Sequence, residues 1–255
     1  MPSEGTGPDP DVILRPARHD DLPHVAEVHL RARAASPMPP SPHEPDEVRV
    51  WVAGWDLETQ EVWVAEDAGT GDVVGYARLH RDWLDDLYVD PARRRTGIGS
   101  ALLSLVTGLR PHGFCLWVFE ANAPARAFYA QHGLLELEHT DGSANEERAP
   151  DVRLAWPGTD PVAFLRGLVD EVDAELGDLL ARRAALTRVI QEHKADTTRD
   201  PRRERAIAAA MARRAPALGE ERLGRIMHQV ITESLDAAGR EQPPPAESSS
   251  DNPKS

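Results

Sequence analysis

A short segment after a predicted strand contains residue types that bind phosphorylated ligands. It consists of Arg93, Arg94, Arg95, Thr96, Gly97, Ile98, Gly99 and Ser100, and a predicted helix begins within it. Gly97 and Gly99 permit a close approach of the backbone. The first turn of a helix offers unpaired N–H groups and the positive end of its dipole to an anion, and arginines bind phosphate well. The segment therefore predicts a pyrophosphate site, with a pattern that is neither the Rossmann nor the P-loop motif.

A second candidate set is cationic and lies in the last third of the chain. Only two of the 29 basic residues are lysines, and one of them, Lys194, lies in a charged helical stretch with Arg183, Arg203 and Glu204. On an ideal helix Arg183 and Lys194 are almost three turns apart, so they share one face. Lysine supplies a compact, strongly hydrated charge that arginine does not. The set predicts a pocket for a small dicarboxylate, and the alternative is a solvated helix face.

Short strands and helices must position the first set. Between residues 12 and 156 the predicted strands are VILRPA, EVWVAED, DVVGYARLH, DDLYVD, FCLWVFE, LLELEH and VRLAW, and the predicted helices are DDLPHVAEVHLRARA, GSALLSLVTGL and APARAFYAQHG. Alternating and helical apolar periodicities support these assignments. The proline-rich stretch 36–46 predicts a loop ahead of a short helix at 47–55. This mixture indicates an α/β or α+β domain over residues 11–157.

Three helices are predicted to follow, over residues 158–240. Asp160 and Pro161 supply an N-cap and a proline at the first helical position, and apolar residues then recur at three- and four-residue spacing to about Lys194. A second helix lies between Pro201 and Pro216, and a third covers 220–238. A chain this short cannot bury the long apolar stripe by itself, so we expect the long helix to pair with a second copy. The alternative is an antiparallel appendage that folds back on the first domain.

Composition excludes several classes of function. Of the net charge of −14, residues 1–160 carry most, with 14 basic and 27 acidic side chains, which argues against a nucleic-acid partner. The single Cys115 excludes an internal disulfide and a cysteine-based zinc site, and we expect no metal. No apolar run of about 18 residues and no signal peptide is present. These features predict a cytoplasmic protein that does not bind membranes, with polar, disordered ends at 1–10 and 241–255.

Two motifs in the first domain resemble those of the GNAT-type N-acetyltransferases. Val89-x4-Arg94-x2-Gly97-x-Gly99 is similar to the acyl-CoA pyrophosphate loop of that family, and Leu116-Trp117-Val118-x3-Asn122-x2-Ala125-x2-Phe128-Tyr129-x3-Gly133 is similar to its second motif. The resemblance covers about residues 11–157. It implies an α+β fold whose mixed, mostly antiparallel sheet has flanking helices, with acetyl-CoA as the cosubstrate and an amine as the acceptor.

The resemblance also implies roles for individual residues. The strand segment Leu87–Val89 would bind pantetheine through backbone groups, Asn122 would contact the cofactor, and Tyr129 would protonate the leaving thiolate of CoA. Arg126, in the same motif, is a further candidate for cofactor binding. The alternative for Tyr129 is a core aromatic residue with a satisfied hydroxyl group.

The two motifs do not identify the base that deprotonates the amine. Direct attack of an amine on a thioester needs a base for the amine and an acid for the sulfur. Some family members carry a glutamate at the position that Trp117 occupies in this chain, so that base is absent here. The remaining candidates are Asp85, Asp86, Glu120, His80 or a water relay. We expect Asp85 or Asp86, near the thioester, and the alternative is that both are surface carboxylates.

The second domain resembles the all-helical, AroQ-class (type II) chorismate mutases over about residues 162–238. The matching residues are Leu165, Arg166, Asp173, Leu180, Arg183, Lys194, Asp200, Pro201, Arg203, Glu204, Glu233 and Ser234. The resemblance implies a helix-swapped homodimer that converts chorismate to prephenate. This rearrangement involves no nucleophile and no proton transfer, so catalysis rests on binding a compact conformer and stabilising charge on the breaking C–O bond.

Site roles follow from the same resemblance. Arg183 and Arg166 of the partner subunit would hold the two carboxylates of chorismate. Lys194 would face the ether oxygen, and Arg203 would support the site. Asp200 and Glu204 would meet the ring hydroxyl group, and Ser234 would contact a carboxylate.

Two departures from the family pattern leave alternatives open. Ala238 stands one turn after Ser234, where the family often has Gln or Glu as a second donor to the ether oxygen, and the loop between Lys194 and Asp200 is short. Loss of one preorganised donor costs roughly 10²–10³ in rate. Besides a bifunctional enzyme, the sequence therefore fits a mutase for a relative such as aminodeoxychorismate, or a non-catalytic dimerisation or chorismate-sensing module. A degenerate acetyltransferase half is a third possibility.

Overall fold

The computed structural model describes residues 11–193 and 199–240. The predicted disordered ends, 1–10 and 241–255, lie outside these ranges, and so does Lys194. The chain divides into two compact units, residues 1–167 and 168–255. This boundary falls within a helix, whereas the sequence pattern places it at residue 158.

The first unit contains a seven-stranded sheet with helices on both faces, which confirms the predicted α+β class. In chain order the elements are β1 Val12–Pro16, α1 Leu22–Ala34, α2 Pro45–Ala53, β2 Glu61–Asp67, β3 Val73–His80, β4 Trp83–Val89, α3 Ile98–Leu109, β5 Phe114–Phe119, α4 Ala123–Gln131, β6 Leu135–Thr140 and β7 Asp151–Trp156. The strand order is β1-β2-β3-β4-β5-β7-β6. All neighbouring strands are antiparallel except β4 and β5, which are parallel.

Alternation along the strands gives the sheet two apolar faces. On β3, Tyr76 packs with α1 and α2, whereas Ala77 packs with the residues of α3 and α4. Successive side chains of a strand point to opposite faces, so both sides of a buried strand must be apolar. This explains why VVGYARLH reads as an almost continuous apolar run. The strand is covered on both sides, and the sheet is held rigidly between two helical layers.

The helix α2 begins two residues earlier than the sequence pattern predicts. Glu44 and Glu47 form a reciprocal capping box, and Pro45 occupies the first turn. Proline suits that position because its missing N–H group would be unpaired there in any case. The predicted proline-rich loop therefore ends at Glu44.

The second unit is built from helices. α5 spans Pro161–His193, α6 Pro201–Arg214 and α7 Gly219–Arg240. Contacts between α6 and α7 bury Ala208, Leu223 and Met227. Among the described residues, no helix is long and apolar enough to cross a membrane.

The long helix α5 carries an apolar stripe that the other described residues leave exposed. Its exposed members are Val169, Val172, Leu176, Leu179, Leu180, Leu186, Val189 and Ile190, each with 39–60% of its surface accessible. They recur at the spacing of a coiled-coil seam, and Arg183 occupies a position on that seam. An exposed apolar stripe of this length indicates an interaction surface.

The segment between the last strand and α5 is anchored rather than free. Gly158 has a φ of +70°, and the backbone of the 111–113 turn lies against it. The Thr159 N–H group donates to the Pro111 carbonyl oxygen at 3.0 Å. A β-carbon at Gly158 would lie 2.5 Å from the carbonyl carbon of His112.

We expect Gly158→Ala to destabilise the first unit more than Gly133→Ala does. Gly133 also has a positive φ, +81°, but a β-carbon there would have no atom within 4 Å. Gly133→Ala therefore measures the cost of the backbone conformation without a steric clash. That cost is roughly 1–2 kcal/mol, and the clash at Gly158 adds about 1–3 kcal/mol. Urea unfolding of both variants measures the difference. Equal losses would show that the anchor contributes nothing.

Candidate active sites

The sheet opens between β4 and β5. The two strands share one register pair, Trp83 with Cys115, and diverge beyond it. On the other side of β4, the Asp90 N–H group donates to the Val74 carbonyl oxygen at 2.8 Å. Because an antiparallel ladder bonds alternate residues, the backbone groups of Leu87 and Val89 point away from β3, into the gap. These are the groups predicted to bind pantetheine.

The turn after β4 brings the beginning of α3 to the edge of this gap. Arg95 and Gly97 both have positive φ, +64° and +92°, and Gly97 is the N-cap of α3. Glycine is suited to this conformation because it has no β-carbon. At Gly99 a β-carbon would make ordinary contacts, at 3.6 Å from Phe128 and 3.8 Å from Val89. The surrounding protein therefore leaves room at Gly99, as the close approach of a ligand would require.

The three arginines of the turn have different partners. Arg94 donates to the carbonyl oxygens of Ala32 and Ala35 and to the Ser36 hydroxyl oxygen, at 2.9–3.0 Å. It thus binds the last carbonyl groups of α1, which lack partners within the helix. Arg93 pairs with Asp67, and Arg95 is exposed. The Arg94 side chain is therefore already engaged, which leaves Arg95 and the backbone N–H groups of the turn as the candidates for binding an anion.

Residues of the second motif lie along α4 and its N-terminus. The Asn122 side chain caps α4 by accepting from the Ala125 N–H group at 3.3 Å. Tyr129 is 8% exposed, and burial raises the pKa of its hydroxyl group, which keeps the proton needed by an acid. Arg126 pairs with Glu136 at 2.7 Å, and Ser100 lies 3.0 Å from the His132 Nε2 atom.

One cavity of about 770 Å³ extends from Asn122 and Tyr129, beside the sheet opening, towards α1 and α2. Leu87, Trp117, Asn122 and Tyr129 line it beside the gap, and residues of α1, α2 and two loops line the remainder. A cavity of this size holds a small substrate and the reactive end of a cofactor. Glu120 and His80 are exposed and do not line it.

A β-bulge places Asp85 and Asp86 on the cavity wall. Arg78 is opposite Asp86 and Leu79 is opposite Leu84, so Asp85 is the extra residue of β4. Bulges redirect side chains beside active sites. The Arg78 Nε atom donates to Asp86 at 2.6 Å, and an Arg78 nitrogen lies 3.3 Å from Asp85. Burial raises the pKa of Asp85 above its ordinary value.

The sequence pattern missed His29, which also lines the cavity. It is 7% exposed, and its Nδ1 atom lies 2.7 Å from the Tyr76 hydroxyl oxygen. Burial lowers its pKa, so the ring is neutral at neutral pH. His29 lies on the apolar face of α1, where a histidine looks like a core residue. The sequence alone cannot distinguish a core histidine from a cavity histidine here, because the pairing with Tyr76 on β3 is a contact between distant segments.

In the helical unit, Arg183 and Ser234 come together as the mutase resemblance implies. An Arg183 nitrogen lies 2.5 Å from the Ser234 hydroxyl oxygen and 3.2 Å from the Val230 carbonyl oxygen. Ser234 is buried, and it also donates to Val230 at 2.6 Å. The pair joins α5 to α7 and places a cation on the seam of α5.

The other predicted mutase residues make no contact with the Arg183–Ser234 pair among the contacts described. Asp200 caps α6 by accepting from Arg202 and Arg203, whose side chains are exposed. Arg199, which sequence reasoning missed, binds both carboxylate oxygens of Glu204 at 2.7 and 2.9 Å.

Arg199 also donates to Thr232 on α7 at 2.8 Å. The Arg199 guanidinium lowers the pKa of Glu204 and holds it ionised. Arg166 is exposed and belongs to the first compact unit. No group of three His, Cys, Asp or Glu residues that could hold a metal ion occurs within residues 11–193 and 199–240.

The fold and the sites together define a two-domain protein. The first domain is α+β, and its sheet opens beside a glycine turn. The second domain consists of three helices. Residues 58–133 match the acetyltransferase (GNAT) domain family, and residues 165–238 match chorismate mutase type II. The chain therefore contains a GNAT acetyltransferase domain followed by a chorismate mutase type II domain, which confirms both resemblances.

Similar proteins cover the first domain. The peptidyl-lysine N-acetyltransferase YiaC of Escherichia coli K12 is 27% identical over 149 residues, 57% of this chain and 97% of that protein. The apo form of YjaB from Escherichia coli has a TM-score of 0.49 and 23% identity, and 58% of this chain and 99% of that chain are covered. A GCN5-related N-acetyltransferase from Rhodopseudomonas palustris has a TM-score of 0.48 and 20% identity, with 57% and 94% covered.

A double-mutant cycle tests the contact between Arg183 and Ser234. We expect Arg183→Ala and Ser234→Ala to be coupled by about 1.5–3 kcal/mol, the range for a hydrogen bond to a charged group. Hydrogen exchange of the α7 amides in the full chain gives the free energy of opening for each variant. The exposed neighbour Arg182 is the control, and Arg182→Ala should be additive with Ser234→Ala. Additivity of the Arg183 pair would contradict the contact.

Proposed function

We propose that the first domain transfers an acetyl group from acetyl-CoA to an amine. The observation that supports this most directly is the position of the gap between β4 and β5, which lies beside Tyr129 on the cavity wall and is followed along the chain by the turn that begins α3 at Gly97. The backbone of Leu87 and Val89 would bind pantetheine. The first turn of α3 would bind the pyrophosphate through N–H groups and the helix dipole.

Direct transfer involves four proton movements. A carboxylate takes a proton from the ammonium form of the acceptor, and the free amine attacks the thioester carbonyl carbon. The C–N bond forms, the C–S bond breaks, and Tyr129 gives its proton to the thiolate. The second proton on nitrogen returns to the tyrosinate, and the carboxylic acid releases its proton to water. The products are the amide, CoA and one proton.

Of the two expected carboxylates, Asp85 is better suited to be the base. Asp86 is buried and accepts a 2.6 Å hydrogen bond from the Arg78 Nε atom, so its carboxylate is already engaged. Asp85 is held less closely by Arg78, and its raised pKa brings it nearer to the working pH. General bases work best under these conditions.

We expect Asp85→Asn to lower kcat/KM for acetyl transfer by about 10²–10⁴. Because a base must be deprotonated, the raised pKa of Asp85 places the acidic limb of the wild-type profile above the ordinary range of aspartate. The variant should lose this limb. Rates of CoA release between pH 4 and 9 measure the effect, with the exposed Asp82→Asn as the matched control. An unchanged profile in the double variant of Asp85 and Asp86 would refute both carboxylates.

We propose further that the helical domain converts chorismate to prephenate as a homodimer. The juxtaposition of Arg183 and Ser234 supports a carboxylate site, and the uncovered apolar stripe of α5 supports pairing with a second copy. A two-fold arrangement would bring Arg166 of the partner subunit to the site. The chain is then a bifunctional enzyme.

One observation favours a second candidate. Ala238 cannot donate to the ether oxygen, and Glu204 is already paired with Arg199. A domain with these features suits a mutase for a relative such as aminodeoxychorismate, or a dimeric module that binds chorismate without turnover and serves the acetyltransferase.

We expect Lys194→Ala to lower the rate of prephenate formation by about 10²–10³, the cost of one electrostatic donor. Lys254→Ala, which changes the other lysine, should leave the rate unchanged. The consumption of chorismate by the purified chain measures both variants. Calorimetric binding of chorismate without any product would contradict the mutase proposal and support the sensing module.

A further inference from the structure

The part of the cavity away from the CoA gap is shaped to receive the acceptor. We call it the acceptor arm, and it is lined by His29, Arg33, Glu47, Trp51, Glu146 and Glu147. Two loops close over it, because the His43 Nε2 atom lies 2.8 Å from a carboxylate oxygen of Glu146. The chemistry of this lining therefore decides which amine reaches the thioester.

Carboxylates dominate the charge of the whole cavity. Its six acidic residues are Glu47, Asp85, Asp86, Glu146, Glu147 and Asp151. Among the described residues that line it, Arg33 is the one arginine or lysine, and it is 2.5 Å from Glu147. Even with Arg78 behind Asp86, permanent cations number two against six carboxylates. A cleft lined by one sign of charge focuses that potential on the substrate.

The two histidines of the lining, His29 and His43, do not reverse this balance. The hydrogen bond with Glu146 raises the pKa of His43, which can add one positive charge and leaves the carboxylates in excess. His29 is neutral because burial lowers its pKa. The fully buried Tyr76 hydroxyl group needs an acceptor, and the Nδ1 atom of His29 provides it, so the Nε2 atom carries the ring proton. The ring of His29 is among the groups that line the cavity. It can donate to a carbonyl oxygen of a ligand, but it adds no charge.

We propose that the acceptor is a primary ammonium group on a flexible alkyl chain, and that dianionic amines are not acetylated. This inference rests on the proposed acetyl transfer. The ammonium group is attracted by the carboxylates, and the methylene chain lies along the ring of Trp51, which is 46% exposed. A dicarboxylate derived from chorismate would bring two more negative charges into the same cavity. We therefore expect no acetylation of an amine derived from a relative of chorismate such as aminodeoxychorismate.

A matched pair of amines tests the inference in the full chain. Nα-acetyl-lysine amide and Nα-succinyl-lysine carry the same side-chain ammonium group and differ by two carboxylates. We expect kcat/KM at low salt to be about 10–10³ times higher for the amide, and the ratio should shrink as salt screens the charges. Spermidine, in a third arm, distinguishes a free polyamine from a lysine side chain as the source of the alkyl ammonium group.

A double variant tests whether the carboxylates of the acceptor arm cause this preference. Glu47→Gln with Glu146→Gln keeps the oxygen atoms that bind Glu44 and His43 but removes two charges. We expect KM for the amide to rise about tenfold with little change in kcat. Glu58→Gln, an exposed acid outside the cavity, should change neither value.

Failure of the inference can be distinguished from failure of the proposed acetyl transfer. Equal or faster transfer to Nα-succinyl-lysine would overturn the inference while leaving the acetyltransferase intact. Failure of every amine, with intact acetyl-CoA binding in a thermal melt, would contradict the proposed acetyl transfer and the inference with it.

Discussion

The first domain depends on a single constraint: β4 and β5 run parallel and touch at one register pair. Parallel neighbours cannot be joined by a tight turn, so the chain must cross over through α3. The divergence leaves the backbone groups of Leu87 and Val89 without a strand partner. Backbone groups shielded from water require hydrogen-bond partners, and under the proposed function a ligand with amide groups would supply them. The bulge at Asp85 and the turn at Gly97 lie at the two ends of the same edge, where the proposed cofactor, acid and base would meet.

The helical domain depends on a comparable unsatisfied surface. Arg183 lies on the apolar seam of α5, where an unpaired charge would be costly in a buried interface. Its contacts with Ser234 and Val230 on α7 hold it in place. The seam can therefore be covered by a second copy while the cation remains available to an anionic substrate. Under the two proposals the domains would favour substrates of opposite charge, so their ligands would not compete with each other.

Much of this arrangement could be predicted from local pattern. Alternating and helical periodicities predicted all seven strands and the helices, because each element buries a face of regular spacing. The glycine turn and the residues around Tyr129 were found because motif residues are close in sequence. Contacts between distant segments were not predictable. The bulge that exposes Asp85, the capping of α1 by Arg94, the pairing of His29 with Tyr76 and the clamp of Arg199 on Glu204 each depend on tertiary packing.

Hydrogen exchange at β4 tests the central claim most directly. The amides of Leu87 and Val89 should exchange quickly in the free protein, because they face the gap, and slowly in the presence of acetyl-CoA. The amide of Tyr88 points to β3, and its exchange should remain slow in both states. Protection of Leu87 and Val89 that is already present without the cofactor, or that does not change when acetyl-CoA is added, would contradict the assignment of the gap as the cofactor site.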